Sequence, residues 1–156
     1  MKHNVLVDVS GRLEKSNREN SAVAFSNHME AAIYVPGNIR LEVYQTLGYM
    51  GIPRRWRGVR IYVAAIYLLL EDYLEQLDRV VIDDELPGWG VEIRRQLSGL
   101  IHQTMPHFDH SKIEVRLIGE HTRADRLAWL VRMKKTAPQK KITYRELLNT
   151  IQNTPT

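Results

Sequence analysis

The chain has 156 residues, enough for one domain with a substantial core, and its 44% hydrophobic and 26% charged content is that of an ordinary globular protein. It contains no cysteine, which excludes disulfides, thiolate metal sites and a cysteine nucleophile. A formal net charge of +4 attracts a polyanion only where the positive residues cluster.

Met1-Lys2-His3 passes directly into a strand-like run, with no leader-type apolar region, so a cytoplasmic location is expected. The apolar run Asn4 to Asp8 predicts a first strand over 3–9. The polar stretch 10–20 follows as a turn or hairpin connection. Short strands are predicted over 21–26 and 31–35, the latter stopped by Pro36-Gly37. Such spacing suits an antiparallel three-strand meander. Residues 38–47 carry both helical and alternating signals, and a short helix is the favoured assignment. Gly48 to Gly58, rich in Gly, Pro and Arg, reads as a loop.

A long helix is expected over 59–77, where Val59, Tyr62, Val63, Ile66, Leu69, Leu70, Tyr73 and Leu74 recur at helical spacing. Its most apolar part, 61–70, is half the roughly 20 residues that cross a bilayer. A helix apolar well beyond one stripe must be deeply packed or meet a partner, either a second copy of the chain or another protein. A central strand follows over 79–84, then a helix over 90–105. The turn Pro106 to His110 holds histidines without zinc-motif spacing. A strand over 113–118 and a helix from Thr122 to about Lys135 come next. Residues 136–156 are read as a linker and a last helix, opened by the capping-box spacing of Thr143 and Glu146. The whole is a single α/β domain over 1–156. Its expected core is a mixed sheet of about five strands, with parallel strands beside the meander and right-handed crossovers.

Three acids stand at strategic ends of these elements. Asp8 and Asp83 each follow a β-prone triplet, and Asp125 opens the helix after Thr122. Carboxylates at two sheet rims and one helix start are the hard oxygen donors that Mg²⁺ or Mn²⁺ prefers. Asp84 and Glu85 are further ligand candidates, with Glu85 on the same strand face as Asp83. Plainer readings stand beside each. Asp8 is also a turn former before Ser10-Gly11, Asp83-Asp84-Glu85 a solvated strand end, and Asp125 a helix-start residue.

Taken together, Val7-Asp8-Val9-Ser10-Gly11, the three early strands, the long helix, Val81-Ile82-Asp83 and Ala124-Asp125-Arg126-Leu127-Ala128 resemble the ribonuclease H-like superfamily. The resemblance runs from residue 3 to about 135. It implies a nuclease that hydrolyses phosphodiester bonds with two divalent ions, Asp8, Asp83 and Asp125 being metal ligands and His121 assisting product departure. The family's glutamate in the first turn of the long helix has no counterpart in Gly58-Val59-Arg60-Ile61. Glu120, Glu85 and Asp84 are the available substitutes. Without a substitute, the same fold would be a non-catalytic module for nucleic acid or protein.

The partner implied is RNA, DNA or a hybrid, and no membrane. Arg54, Arg55 and Arg57 are placed to grip phosphates, with Trp56 stacking on a base or packing back on the core. Lys134, Lys135, Lys140 and Lys141 offer a second backbone track or a plain linker.

Overall fold

The computed structural model describes residues 2–119 and 121–155. Its elements, in chain order, are β1 (His3–Ser10), β2 (Ser21–Asn27), β3 (Ala31–Val35), α1 (Gly37–Tyr49) and α2 (Arg54–Leu70). A 3-10 segment (Glu71–Gln76) leads to β4 (Leu77–Asp83), followed by α3 (Gly90–Thr104), β5 (Ile113–Arg116), α4 (Arg123–Arg132), β6 (Lys140–Lys141) and α5 (Tyr144–Gln152). The strands form one six-stranded mixed sheet in the order β5-β4-β1-β2-β3-β6. β1, β4 and β5 run parallel, and β2 is antiparallel to both of its neighbours.

The sequence of β2 explains why the two faces of the sheet differ. Val23 and Phe25 join the large core, whereas Ala22 and Ala24 face a small second cluster with Ala32, Tyr34, Ala128 and Val131. Large side chains on one face meet α2, which is buried from Gly58 to Leu70 except at Arg60. Small ones on the other let the single helix α4 lie close across β1, β2 and β3. Helices α1, α3 and α5 surround α2. Its excess apolarity is therefore taken up inside the chain.

Three expectations need correcting. The sheet has a sixth strand, because Lys140 and Lys141 pair with Ile33 and Tyr34 at the β3 edge. The predicted loop over 48–58 shrinks to a four-residue connection between helices, since α1 continues to Tyr49 and α2 begins at Arg54 directly after Pro53. At its other end the long helix stops at Leu70 and tightens into 3-10 turns before β4.

The connection 11–20 is polar but not loose. Arg40 of α1, fully buried, donates to the carbonyl of Lys15, to Asn17 O at 3.1 Å, to Asn17 Oδ1 at 2.6 Å and to Glu19 O at 2.6 Å. Leu13 of the same loop is buried. Gly58 of α2 lets the loop settle, because a Cβ there would stand 2.8 Å from the carbonyl oxygen of Glu14. The loop is thus held as a wall above the C-terminal ends of the parallel strands. Among the described residues, no helix is long and apolar enough to cross a membrane.

Candidate metal-binding site

Parallel pairing of β1 and β4 sets Leu6 beside Val81 and Val7 beside Ile82. The next residues along the two strands are Asp8 and Asp83. Strand alternation puts both on the face opposite the large core, where Asp8 lies across from Ala24 of β2. Glu85 lies two residues past the end of β4. One carboxylate oxygen from each of Asp8, Asp83 and Glu85 lies within 4.8 Å of the others. Asp8 is buried, and Asp83 and Glu85 are half-buried.

Two of the three acids are anchored by backbone amides. Asp8 Oδ1 accepts from Val9 N at 2.8 Å. Asp83 Oδ1 accepts from Ile118 N at 2.9 Å, which ties the end of β4 to the chain leaving β5. The Asp83 carbonyl accepts from the hydroxyl of Tyr62 on α2 at 3.0 Å, and burial raises the Tyr62 pKa so that the hydroxyl stays a donor. Among the described residues, no lysine or arginine forms an ion pair with any of the three acids.

Buried like charges without a counter-ion cannot all ionise. Burial pushes the Asp8 carboxyl up to about 6; hydrogen bonds from Glu85 and Val9 N–H oppose the rise, and the charges of Asp83 and Asp125 add to it. Burial, followed by the hydrogen bond and charge of Asp8, raises Glu85 to about 9. At neutral pH the Asp8–Glu85 pair therefore holds a proton between its two carboxyls. A proton does here what a cation would do.

The other sequence candidates fall at different distances from this trio. Asp84 stands outside it, as alternation requires; its amide donates to Arg116 O, and its Oδ1 is buried with no hydrogen-bond partner. Asp125 is also outside the trio, although its charge is felt at Asp8. Its amide donates to the capping hydroxyl of Thr122 at 3.0 Å, and its Oδ2 accepts from His121 N at 3.2 Å. That is the geometry of a helix start. His121 itself has a positive φ of 67° at the entrance to α4. Glu120 lies outside the described residues.

Glu14 was not among the sequence candidates. It belongs to the loop wall, contributes to the raised pKa of Glu85, and lines a cleft of about 480 Å³ with Val9, Gly11, Arg12 and Glu85. The buried Leu13 beside it was the only sequence sign that this polar segment folds inward.

Among the basic residues, Arg54 and Arg55 are exposed on the first turn of α2. Trp56 packs edge-on against Trp89, ring centres 5.0 Å apart, and Arg57 donates to Ile52 O at 2.6 Å while lying over Tyr44. Trp56 therefore packs back rather than standing free. Lys140 is bound to Glu71 at 2.9 Å and Asp72 at 3.2 Å, whereas Lys134, Lys135 and Lys141 are exposed around one cleft.

No family model matches the chain, and neither the curated proteins nor the solved structures include a significant match.

Proposed function

We propose that the protein is a divalent-metal-dependent nuclease of ribonuclease H-like type, acting on phosphodiester bonds of a nucleic acid. The convergence of Asp8, Asp83 and Glu85 at the C-terminal ends of two parallel strands carries the reading. Ligand sites in open α/β sheets occupy that edge.

The donor set fits Mg²⁺ or Mn²⁺. It is made of carboxylate oxygens alone, no lysine or arginine among the described residues forms an ion pair with it, and it holds a proton that a metal can replace. Asp8 and Asp83 would be the shared ligands, and Glu85 takes the place of the acid missing from the first turns of α2. When bound, the metal supplies Lewis-acid polarisation of a phosphoryl oxygen and lowers the pKa of water. The chain itself supplies orientation. Val9 N–H and Ile118 N–H fix one oxygen each of Asp8 and Asp83, and Tyr62 holds the end of β4. Asp125 contributes negative potential from the start of α4, and His121 beside it remains the residue proposed for product departure.

The test is cleavage of labelled single strands, duplexes and hybrids with Mg²⁺ or Mn²⁺. Asp8→Asn and Asp83→Asn are each expected to reduce turnover by at least about 10²-fold, the scale on which a lost electrostatic contact in an active site is felt. Cleavage that persists unchanged in both variants, or in excess chelator, sinks the proposal.

A further inference from the structure

Helix α4 ends in an unusual way. Lys135 N donates to Leu130 O at 2.8 Å and Lys134 N to Val131 O at 3.0 Å, the hydrogen-bond pair of a Schellman terminus. The residue in the left-handed position of such a terminus is normally glycine, because a Cβ there is strained. This chain places Lys134 there, at φ 60°. Its ammonium lies 5.8 Å from the ring centre of Tyr34, and that of Lys135 lies 5.0 Å from the ring centre of Trp129.

The third lysine arrives from the sheet. In β6, alternation sends Lys140 toward Glu71 and Asp72 and Lys141 to the α4 side, where its register partner is Tyr34. The segment is held firmly to β3. Gln139 N donates to Ala32 O at 2.8 Å, Ala32 N to Gln139 Oε1 at 2.6 Å and Ile142 N to Tyr34 O at 2.9 Å. Lys134, Lys135 and Lys141 thus ring a cleft of about 340 Å³ floored by Tyr34, Val131 and Pro138. Among the described residues, none of the three pairs with a carboxylate.

We propose that this cleft binds the phosphate backbone of a single-stranded nucleic acid, with Lys134, Lys135 and Lys141 on phosphates and the 43% exposed Trp129 as the stacking surface beside it. The choice of a nucleic acid over other polyanions rests on the nuclease reading. Helix α4, whose ten residues span about 15 Å, runs from Asp125, whose charge is felt at Asp8, to the lysines at its other end. Converging ammonium groups beside an exposed indole suit alternating phosphates and bases.

Binding of a fluorescein-labelled oligothymidylate to the full chain, in chelator and over a salt series, tests this. Three phosphate contacts give a slope of log affinity against log salt of about −2, and Lys141→Ala is expected to reduce its magnitude by about 0.7. Lys134→Gly separates function from folding. It is expected to raise the melting temperature, by relieving the left-handed strain, while weakening binding several-fold. Unchanged binding in both variants overturns the proposal, as does lysine-dependent capture of polyglutamate or phosphatidylserine vesicles in place of the oligonucleotide. Cleavage that ignores the lysines removes this cleft alone. Lysine-dependent binding by a protein that never cuts supports the cleft and removes only the nuclease reading.

Discussion

Glu85 is the residue on which pH and metal act together. Burial, with Asp8 beside it, raises its carboxyl from the ordinary 4.5 to about 9 in the folded chain. Between those values the folded state holds a proton that the unfolded state has lost, so folding weakens as pH rises. Asp8 adds the same sign between 3.8 and about 6. Without metal, the melting temperature is therefore expected to fall from pH 4 toward pH 9. Glu85→Gln should match the parent at pH 4 and exceed it at pH 8 by at least about 1 kcal/mol, or about 2–4 °C. Thermal denaturation in chelator at both pH values checks this, and a Glu85→Gln variant less stable than the parent at pH 8 contradicts the shared proton. Mn²⁺ should reverse the trend. Its binding displaces the proton, so calorimetry at pH 7 in buffers of different ionisation enthalpy should register proton release, which Glu85→Gln removes.

At the scale of elements, the site rests on two contacts, one tying α1 to the 11–20 loop and one seating α4 on the sheet. Arg40 of α1 satisfies several carbonyls of the 11–20 loop from a fully buried position. Arg40→Ala strands those acceptors and leaves a cavity, so a loss of about 2–4 kcal/mol is expected in denaturant unfolding. On the opposite face, Ala24 is fully buried beneath α4 and lies across from Asp8. Ala24→Leu overpacks that thin layer at a cost of about 1–3 kcal/mol. It is expected to lower Mn²⁺ affinity although no ligand is altered, and unchanged affinity would show that α4 does not set the geometry at Asp8. The sequence disclosed most of these elements because their patterns are clean. The apolar run of β1, the longer apolar run of α2 and the Thr143–Glu146 capping box all appear in the structure. The start of α2 was hidden because Arg54 and Arg55 place positive charge at the positive end of a helix. Pro53, the one cue for a helix start, sits among loop-like neighbours. β6 was hidden because two lysines cannot show a period. For the site, the strand-end position of Asp8 and Asp83 was visible in the pattern. That Glu85 rather than Asp125 clusters with them was not, since it depends on register and on what caps α4.

Across the whole molecule, the two faces of the sheet are stabilised unequally. One side buries α2 within the large core, backed by α1, α3 and α5. The other is covered by α4, whose fully buried residues are only Ala124, Ala128 and Val131. Burying a large aliphatic side chain contributes about 1.5–3 kcal/mol, and an alanine far less. Separating α4 from the sheet therefore costs much less than disturbing α2, and α4 should open as its own unit. Native-state hydrogen exchange is expected to show amides of α4 and β6 exchanging through an opening of lower free energy than those of α2, β1 and β4. Asp125 in the first turn of this helix and Lys134 just past its end move with it, so an oligonucleotide bound across both should slow exchange in α4 selectively. Equal protection of α4 and α2 in the free protein would mean that the thin face is as firmly held as the thick one. The acids and the lysine cleft would then sit on a rigid scaffold rather than on either side of a layer that can lift.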